Sequence, residues 1–200
     1  MIFMAGKKLK VVDKWKSKKW YTVRAPAIFD AKELCEVVAA DDKLLTNRIV
    51  KKSLMELGIG GSSQMAMFTT MLFRIKDVKG VDASTILIGH EISPSFIKTF
   101  ARRGKSLIHE VVEDKTKDGE TLRLKLISVT GARVSWNTKK NIRKIMVDET
   151  RKAITDANFD EVIQDVLYGR FSAKLFNQLK TITKMRRVEV RKSERGEIFK

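Results

Sequence analysis

An Asp-Gly pair between two extended stretches constrains the fold of this chain more than any other feature. Asp118 and Gly119 separate residues 106–115 from residues 120–130, and both tolerate the positive φ angles that a tight hairpin turn requires. In the second stretch, leucines alternate with polar residues from Leu122 onward. We therefore predict an antiparallel hairpin with one face on a hydrophobic core and the other towards solvent or a partner.

Extended segments predominate before this hairpin and helices after it. Predicted strands cover residues 20–24, 48–57, 65–75, 85–92 and 185–191, and predicted helices cover residues 95–102, 158–168 and 172–182, with a further helix from residue 137. Asp30 is a potential N-cap for a helix over residues 31–40, although the same residues also suit an extended segment. The predicted class is α+β. An antiparallel sheet that could curl into a barrel fills the first two thirds, and helices fill the last third.

The positive charge of the chain is concentrated in three segments. The chain has 41 Lys and Arg residues against 24 Asp and Glu residues, which gives a formal net charge of +17. Basic residues outnumber acidic residues by eight to one in residues 1–24, seven to two in residues 132–152 and eight to three in residues 180–200. These differences account for the whole excess, so the remaining body is neutral. Clustered like charges repel one another unless a polyanion is bound, and the segregation therefore predicts a nucleic-acid partner.

Aromatic residues lie among the lysines of the first segment, as expected for a surface that binds phosphates and stacks on unpaired bases. Trp15 is surrounded by charge and is the stacking candidate, whereas Trp20 and Tyr21 are expected to begin the first strand and pack into the core. In the helix from residue 137, basic residues lie roughly opposite an apolar stripe. The predicted RNA-binding residues are Lys7, Lys8, Lys10, Lys14, Trp15, Lys16, Lys18, Lys19, Arg24, Arg133, Lys139, Lys140, Arg143, Lys144, Arg151, Arg186, Arg187, Arg191 and Lys192.

Other classes of function find little support in the sequence. His90 and His109 are too far apart for a local metal motif, and Cys35 lies between glutamates that would raise its thiol pKa. The glycine-rich residues 58–63 lack the Gly-Lys-Ser/Thr ending of a phosphate-binding loop. We therefore predict no catalytic residue, metal, cofactor or small-molecule substrate. The longest uncharged stretch, residues 57–73, is interrupted by those glycines, which argues against a membrane span, and the first residues do not resemble a signal peptide.

Several stretches also match a known family. The most specific is residues 18–26, which read KKWYTVRAP. Further matching stretches are residues 10–13, 53–57, 77–80, 118–119, 122–124, 142–146 and 188–194. Together they run nearly from end to end of the chain. The chain resembles the archaeal and eukaryotic small-subunit ribosomal protein family S-three-Ae, and its length is similar to that of archaeal members.

The resemblance implies a structural, non-enzymatic component of the small ribosomal subunit. Its expected partners are the small-subunit rRNA and neighbouring ribosomal proteins, on the platform near the mRNA exit and the rRNA 3′ end, and contact with mRNA is left open. The expected location is the cytoplasmic ribosome. The expected organisation is a basic arm over residues 1–19, one α+β rRNA-binding domain over residues 20–192 and a tail over residues 193–200. The alternative is a free-standing RNA-binding or RNA-chaperone protein.

Overall fold

The strands join into one eight-stranded sheet in the computed structural model, which describes residues 15–16, 18–58 and 64–196. The strands are β1 (Lys19–Arg24), β2 (Glu33–Ala39), β3 (Ile49–Ser53), β4 (Thr69–Lys79), β5 (Asp82–Ile92), β6 (Leu107–Lys115), β7 (Thr121–Thr130) and β8 (Met185–Arg195). The helices are α1 (Gln64–Phe68), α2 (Pro94–Lys98), α3 (Trp136–Thr155), α4 (Phe159–Leu167) and α5 (Arg170–Leu179). The predicted α+β class is confirmed, with the three longer helices in the C-terminal part.

The sheet has the hydrogen-bonded strand order β2-β1-β5-β8-β7-β6. Strand β4 lies outside this order and pairs with β5 on one side and with β3 on the other. All pairs are antiparallel except β1 and β5, which run parallel over three residues from Thr22 to Arg24. Within the described residues, β2, β3 and β6 each pair with a single neighbour, so the sheet is not closed into a barrel. Helix α3 packs against β6 at one end of the path.

The Asp-Gly hairpin is confirmed, and its second strand is more buried than its sequence indicates. Strands β6 and β7 pair in continuous register from Leu107↔Val129 to Lys115↔Thr121. The alternating leucines of β7 enter the main core as predicted. On the opposite face, Ile127 and Val129 are also buried, so the prediction that this face is open is wrong for the last part of the strand.

Two hydrophobic clusters lie on opposite faces of β7. The main cluster combines Leu122 and Leu124 with residues of α3, α4 and α5, including Ile142 and Met146 on the apolar stripe of α3. The second cluster combines Ile127 and Val129 with Ile92, Phe96, Ile97 and Phe100, which come from the end of β5 and from the α2 region. Helix α2 therefore packs on the face of β7 that α3 leaves uncovered.

Residues 31–40 adopt the extended alternative and form β2 in place of a helix. Asp30 and Ala31 have φ angles of 56° and 49°, so Asp30 lies in a left-handed turn and is not the N-cap of a helix over residues 31–40. The turn reverses the chain, and β2 then pairs with β1 from Lys19↔Ala39 to Arg24↔Glu33. Pairing with a distant strand thus outweighs the local helical spacing of the apolar residues.

The predicted strand over residues 65–75 begins too early. Its first residues belong to α1, and Met67 is 61% exposed, whereas Thr69, Met71 and Phe73 on β4 are buried. The Thr69 hydroxyl donates a hydrogen bond to the Met65 carbonyl at 2.8 Å, which helps to end the helical turn where the strand starts. Of the predicted glycine-rich loop, residues 59–63 lie outside the described residues.

Candidate nucleic-acid interface

The N-terminal basic segment places one tryptophan among exposed lysines. Trp15 is 69% exposed, and the Nζ of Lys18 lies 3.8 Å from the centre of its ring, which is a cation–π contact. Lys16 and Lys19 are exposed as well. The predicted residues Lys7, Lys8, Lys10 and Lys14 lie outside the described residues. The described part of this segment therefore combines positive charge with an accessible aromatic ring.

Trp20 and Tyr21, at the start of β1, differ in burial. Tyr21 is buried, as predicted, and its hydroxyl donates a 2.6 Å hydrogen bond to Asp42, which raises the pKa of the tyrosine. Trp20 is 64% exposed, so its expected place in the core is wrong. Successive residues of a strand point to opposite faces, and only one of two adjacent aromatic residues can enter the same core. Arg24, at the end of β1, is exposed and pairs with Asp82 at 3.0 Å.

Helix α3 carries most of the central basic segment, and Arg133 lies just before the helix. The Ser135 side chain caps the helix by accepting a hydrogen bond from the backbone amide of Thr138. Arg133, Lys140, Arg143, Lys144 and Arg151 are exposed, whereas Lys139 is half-buried. Arg143 lies 3.5 Å from Glu110 on β6, so part of its charge is balanced within the protein.

Trp136 extends this face and was not predicted as a site residue. It is 68% exposed at the first position of α3, and the Nζ of Lys140 lies 5.6 Å from the centre of its ring. Residues four apart on a helix lie on the same side, so the spacing of Trp136 and Lys140 was a usable signal in the sequence. An exposed indole beside lysines is suited to stacking on an unpaired base.

Strand β8 divides the third segment into two environments. Arg186 is exposed, and Arg187 packs over the rings of Phe96 and Phe100 at 5.3 and 4.8 Å from their centres. Further along the strand Arg191 is exposed, but Lys192 lies 2.8 Å from Glu194 and 3.9 Å from Glu91. The ion pair with Glu194 raises the pKa of Lys192. Lys192 is thus largely occupied by contacts within the protein.

The three predicted segments do not converge on one patch of the sheet. In the strand order, β5 separates β1 from β8, and β7 separates β8 from β6, against which α3 packs.

A fourth basic stretch was missed because it lies in the neutral body. Residues 98–105 contain Lys98, Arg102, Arg103 and Lys105 and no acidic residue, a local signal that whole-body charge balance concealed.

The buried histidine belongs to a closed hydrogen-bond network. His90 Nε2 donates to the Val190 carbonyl at 3.1 Å, and Nδ1 accepts from the Ser193 hydroxyl at 2.7 Å. The Ser193 oxygen in turn accepts a hydrogen bond from the backbone amide of His90 at 2.9 Å. Burial lowers the pKa of His90 to about 4. Ser193 is fully buried and His90 is nearly so, and the pair joins β5 to β8.

Two further features bear on the chemistry of the chain. Burial, rather than the neighbouring glutamates, raises the pKa of Cys35, and Lys52 and Arg48 act in the opposite direction. In the part of the chain that the structure describes, no three His, Cys, Asp or Glu residues are grouped so as to hold a metal ion. Across the same residues, none of the helices combines the length and apolarity needed to cross a bilayer.

Comparison with known proteins gives a match over nearly the whole chain. Residues 6–197 match the model of the Ribosomal S3Ae family. The small ribosomal subunit protein eS1 of Sulfolobus acidocaldarius is 36% identical over 183 residues, which cover 91% of this chain and 91% of that protein. The protein of the same name from Staphylothermus marinus is 36% identical over 190 residues, covering 95% and 88%. That of Methanothermobacter thermautotrophicus is 29% identical over 188 residues, covering 94% and 95%.

Proposed function

The chain belongs to the ribosomal S3Ae family, and from this membership we propose that it is a structural constituent of the small ribosomal subunit. The observation that carries the proposal is the family match over residues 6–197, together with archaeal relatives that are named small-subunit proteins and are covered almost completely. Its place of action is then the cytoplasmic ribosome, with the small-subunit rRNA and neighbouring ribosomal proteins as partners.

Binding to the rRNA is proposed to occur through the three basic segments. The exposed cations of α3 and of the start of β8, and the lysines around Trp15, support this proposal. Lys and Arg side chains displace counterions from phosphates and fix the position of the protein, while the shape of the folded RNA provides specificity. In this organisation residues 1–19 form a basic arm, residues 20–192 the binding domain and residues 193–200 the tail, into which β8 reaches as far as Arg195.

We place the protein on the platform of the subunit, near the mRNA exit and the rRNA 3′ end, where it could also contact mRNA. Directed hydroxyl-radical probing tests this location. A Cys35→Ser variant that also carries Lys16→Cys would be linked to an iron chelate and assembled into small subunits. We expect rRNA cleavage close to the 3′ end, and cleavage confined to other regions would reject the platform location. Cys35→Ser alone is the control for cleavage that does not start at residue 16.

Sedimentation distinguishes a ribosomal constituent from a free-standing RNA-binding or RNA-chaperone protein. A cell extract is centrifuged through gradients at low and at moderate salt, and the chain is detected in each fraction. About six to ten phosphate contacts alone would lose about three to five decades of affinity between these salt concentrations. We expect the chain to stay with the small-subunit peak at both. Release to the top of the gradient at moderate salt would favour the free-standing protein.

The proposal also includes the absence of enzymatic activity. It is supported by the membership of a ribosomal protein family and by the full burial of Ser193 beside His90. Purified chain incubated with rRNA and Mg²⁺ is expected to leave the RNA intact and unmodified. Cleavage or modification that increases with protein concentration and is lost on addition of a chelator would contradict this part of the proposal.

A further inference from the structure

A cationic pocket lies between the end of α2 and the start of β8. It has a volume of about 400 Å³ and is lined by Thr99, Phe100, Arg102, Val129, Arg186 and Arg187. Two of its three arginines come from β8, and the third comes from the loop after α2, in the part of the sequence with balanced charge. The pocket lies beside the second hydrophobic cluster, on the face of β7 opposite the main core and α3.

Lys105 adds a fourth cation next to the pocket. Burial lowers the pKa of Lys105, and the positive charges of Arg186 and Arg102 lower it further. Arg102 and Arg186 both line the pocket, and Lys105 follows Arg102 by three residues, so these three cations share one region of the surface. The backbone amide of Lys105 donates a 3.3 Å hydrogen bond to the carbonyl of Arg102, which holds the two residues in one turn.

The positive charge of this region is poorly balanced within the protein. In residues 15–16, 18–58 and 64–196, no carboxylate lies within ion-pair distance of Arg102, Lys105 or Arg186. Arg187 differs, since it pairs with Glu189 at 3.3 Å. Bringing several like charges together costs electrostatic energy, and a bound anion relieves that cost.

Two of the arginines are held in place before any ligand binds. Arg187 is fixed by its contacts with the rings of Phe96 and Phe100 and by Glu189. The Nε of Arg102 donates a 3.3 Å hydrogen bond to the carbonyl of Thr99. Guanidinium groups donate two parallel hydrogen bonds to a phosphate, and ordering them in advance reduces the entropy cost of binding.

We propose that Arg102, Arg186 and Arg187 bind a phosphodiester group of folded RNA in this pocket and that Lys105 strengthens the attraction. The inference rests on the proposed function and joins Arg102 and Lys105, which lie outside the three basic segments, to Arg186 and Arg187 of the third segment. A polymer is favoured over a free phosphate because further exposed cations lie within two residues of the lining residues in the sequence. They are Lys98, Arg103 and Lys184.

The test compares two doubly substituted chains that lose equal charge. The pocket variant carries Arg102→Gln and Arg186→Gln, and the control carries Lys43→Gln and Lys115→Gln, all at exposed positions. Arg187 is kept because it packs on the second cluster. Small-subunit rRNA purified from the cells that make this chain is the probe, and its affinity is measured at several salt concentrations. Equal thermal midpoints of the three proteins show that the fold is retained.

We expect the pocket variant to lose about tenfold or more in affinity and its salt slope to fall by about one, while the control changes by about twofold or less. If wild-type chain binds rRNA and the two variants bind alike, the pocket inference is wrong and the proposed function stands. If wild-type chain does not bind the rRNA, the inference fails together with the rRNA-binding part of the proposed function.

Inorganic phosphate is the second probe and separates the two possible sources of the anion. The Nε–H signals of Arg102 and Arg186 are followed by NMR during the titration. Saturation at micromolar phosphate, combined with rRNA affinity that does not depend on the pocket, would assign the site to a free anion and overturn the RNA assignment. We expect saturation only in the millimolar range, because a single phosphate lacks the flanking contacts.

Discussion

The two halves of β8 carry similar basic residues in different electrostatic environments. At the start of the strand, Arg186 has no acidic partner within the described residues. Towards its end, Lys192 pairs with Glu194 and Glu91, and Arg195 pairs with Glu120. A basic residue that is neutralised inside the protein contributes little to the attraction of RNA. Charge counts along a sequence therefore overestimate the number of residues that a polyanion can use.

The neighbouring strands explain the difference between the halves. Strand β7 pairs with β8 along its length, but β5 pairs with it only over Lys192–Glu194. This second neighbour brings Glu91 close to Lys192. The start of β8 lacks β5 and instead meets the α2 region, whose charged residues are basic. Lys192 and Arg195 are thus held by ion pairs, whereas Arg186 at the other end of the strand has no carboxylate partner among the described residues.

The largest effect on stability is expected from the substitution of Gly89. A Cβ at this position would overlap the carbonyl oxygen of Ser193 on β8. We expect Gly89→Ala to separate β5 from β8 and to lower the free energy of unfolding by about 3 kcal/mol or more, as measured by chemical denaturation. Gly104→Ala is the control because a Cβ there meets nothing within 4 Å, and its left-handed φ of 76° alone costs about 1 kcal/mol. Equal losses in the two variants would show that the close approach of the strands is unimportant.

The pH dependence of stability tests the same junction through His90. Its folded-state pKa of about 4 lies below the ordinary value of 6.5, so the unfolded chain binds more protons between these pH values. The contribution of His90 to the free energy of unfolding should therefore be fully present above pH 6.5. It should fall by about 3 kcal/mol as the pH decreases to 4.

An NMR titration of the His90 ring measures this pKa directly and should find the Nε2–H tautomer. The direct measurement is needed because burial raises the pKa of Glu189, which changes stability in the opposite direction. A His90 pKa near 6.5 in the folded chain would show that the network is open to water.

Ser193→Ala removes one side chain from the buried junction between β5 and β8. The substitution leaves Nδ1 and the backbone amide of His90 without their partner, and we expect a loss of about 2 kcal/mol in the free energy of unfolding. Ser95→Ala is the matched control at an exposed position of α2 and should stay within about 0.5 kcal/mol of wild type. A loss no greater than that of the control would mean that solvent replaces the hydroxyl.

The smallest effects are expected from replacing one paired and one unpaired cation of β8. Lys192→Gln should lower the free energy of unfolding by about 0.5 to 1 kcal/mol, since it breaks partly buried ion pairs, and should change rRNA affinity little. Arg186→Gln should leave stability unchanged and weaken rRNA binding several-fold. Denaturation and filter binding measure the two quantities. Equal loss of RNA affinity in both variants would remove the distinction between the halves of β8.

Local sequence patterns determined much of the fold. The Asp118-Gly119 turn and the apolar stripe of α3 each depend on residues within a few positions, and the structure confirms them. The motifs in residues 18–26 and beyond also indicated the family that the comparisons show. A turn or a helix face is encoded by neighbouring residues, so no knowledge of the remaining chain is needed.

The tertiary structure alone decided which strands pair and which charges remain free. Residues 31–40 became a strand because β1 offered a partner, and Trp20 became exposed because Tyr21 took the inward position. Arg102 and Arg186 meet in one pocket although they are far apart in sequence. Strand pairing and the balance of charge depend on the distance between remote segments, and that distance exists only after the sheet has formed.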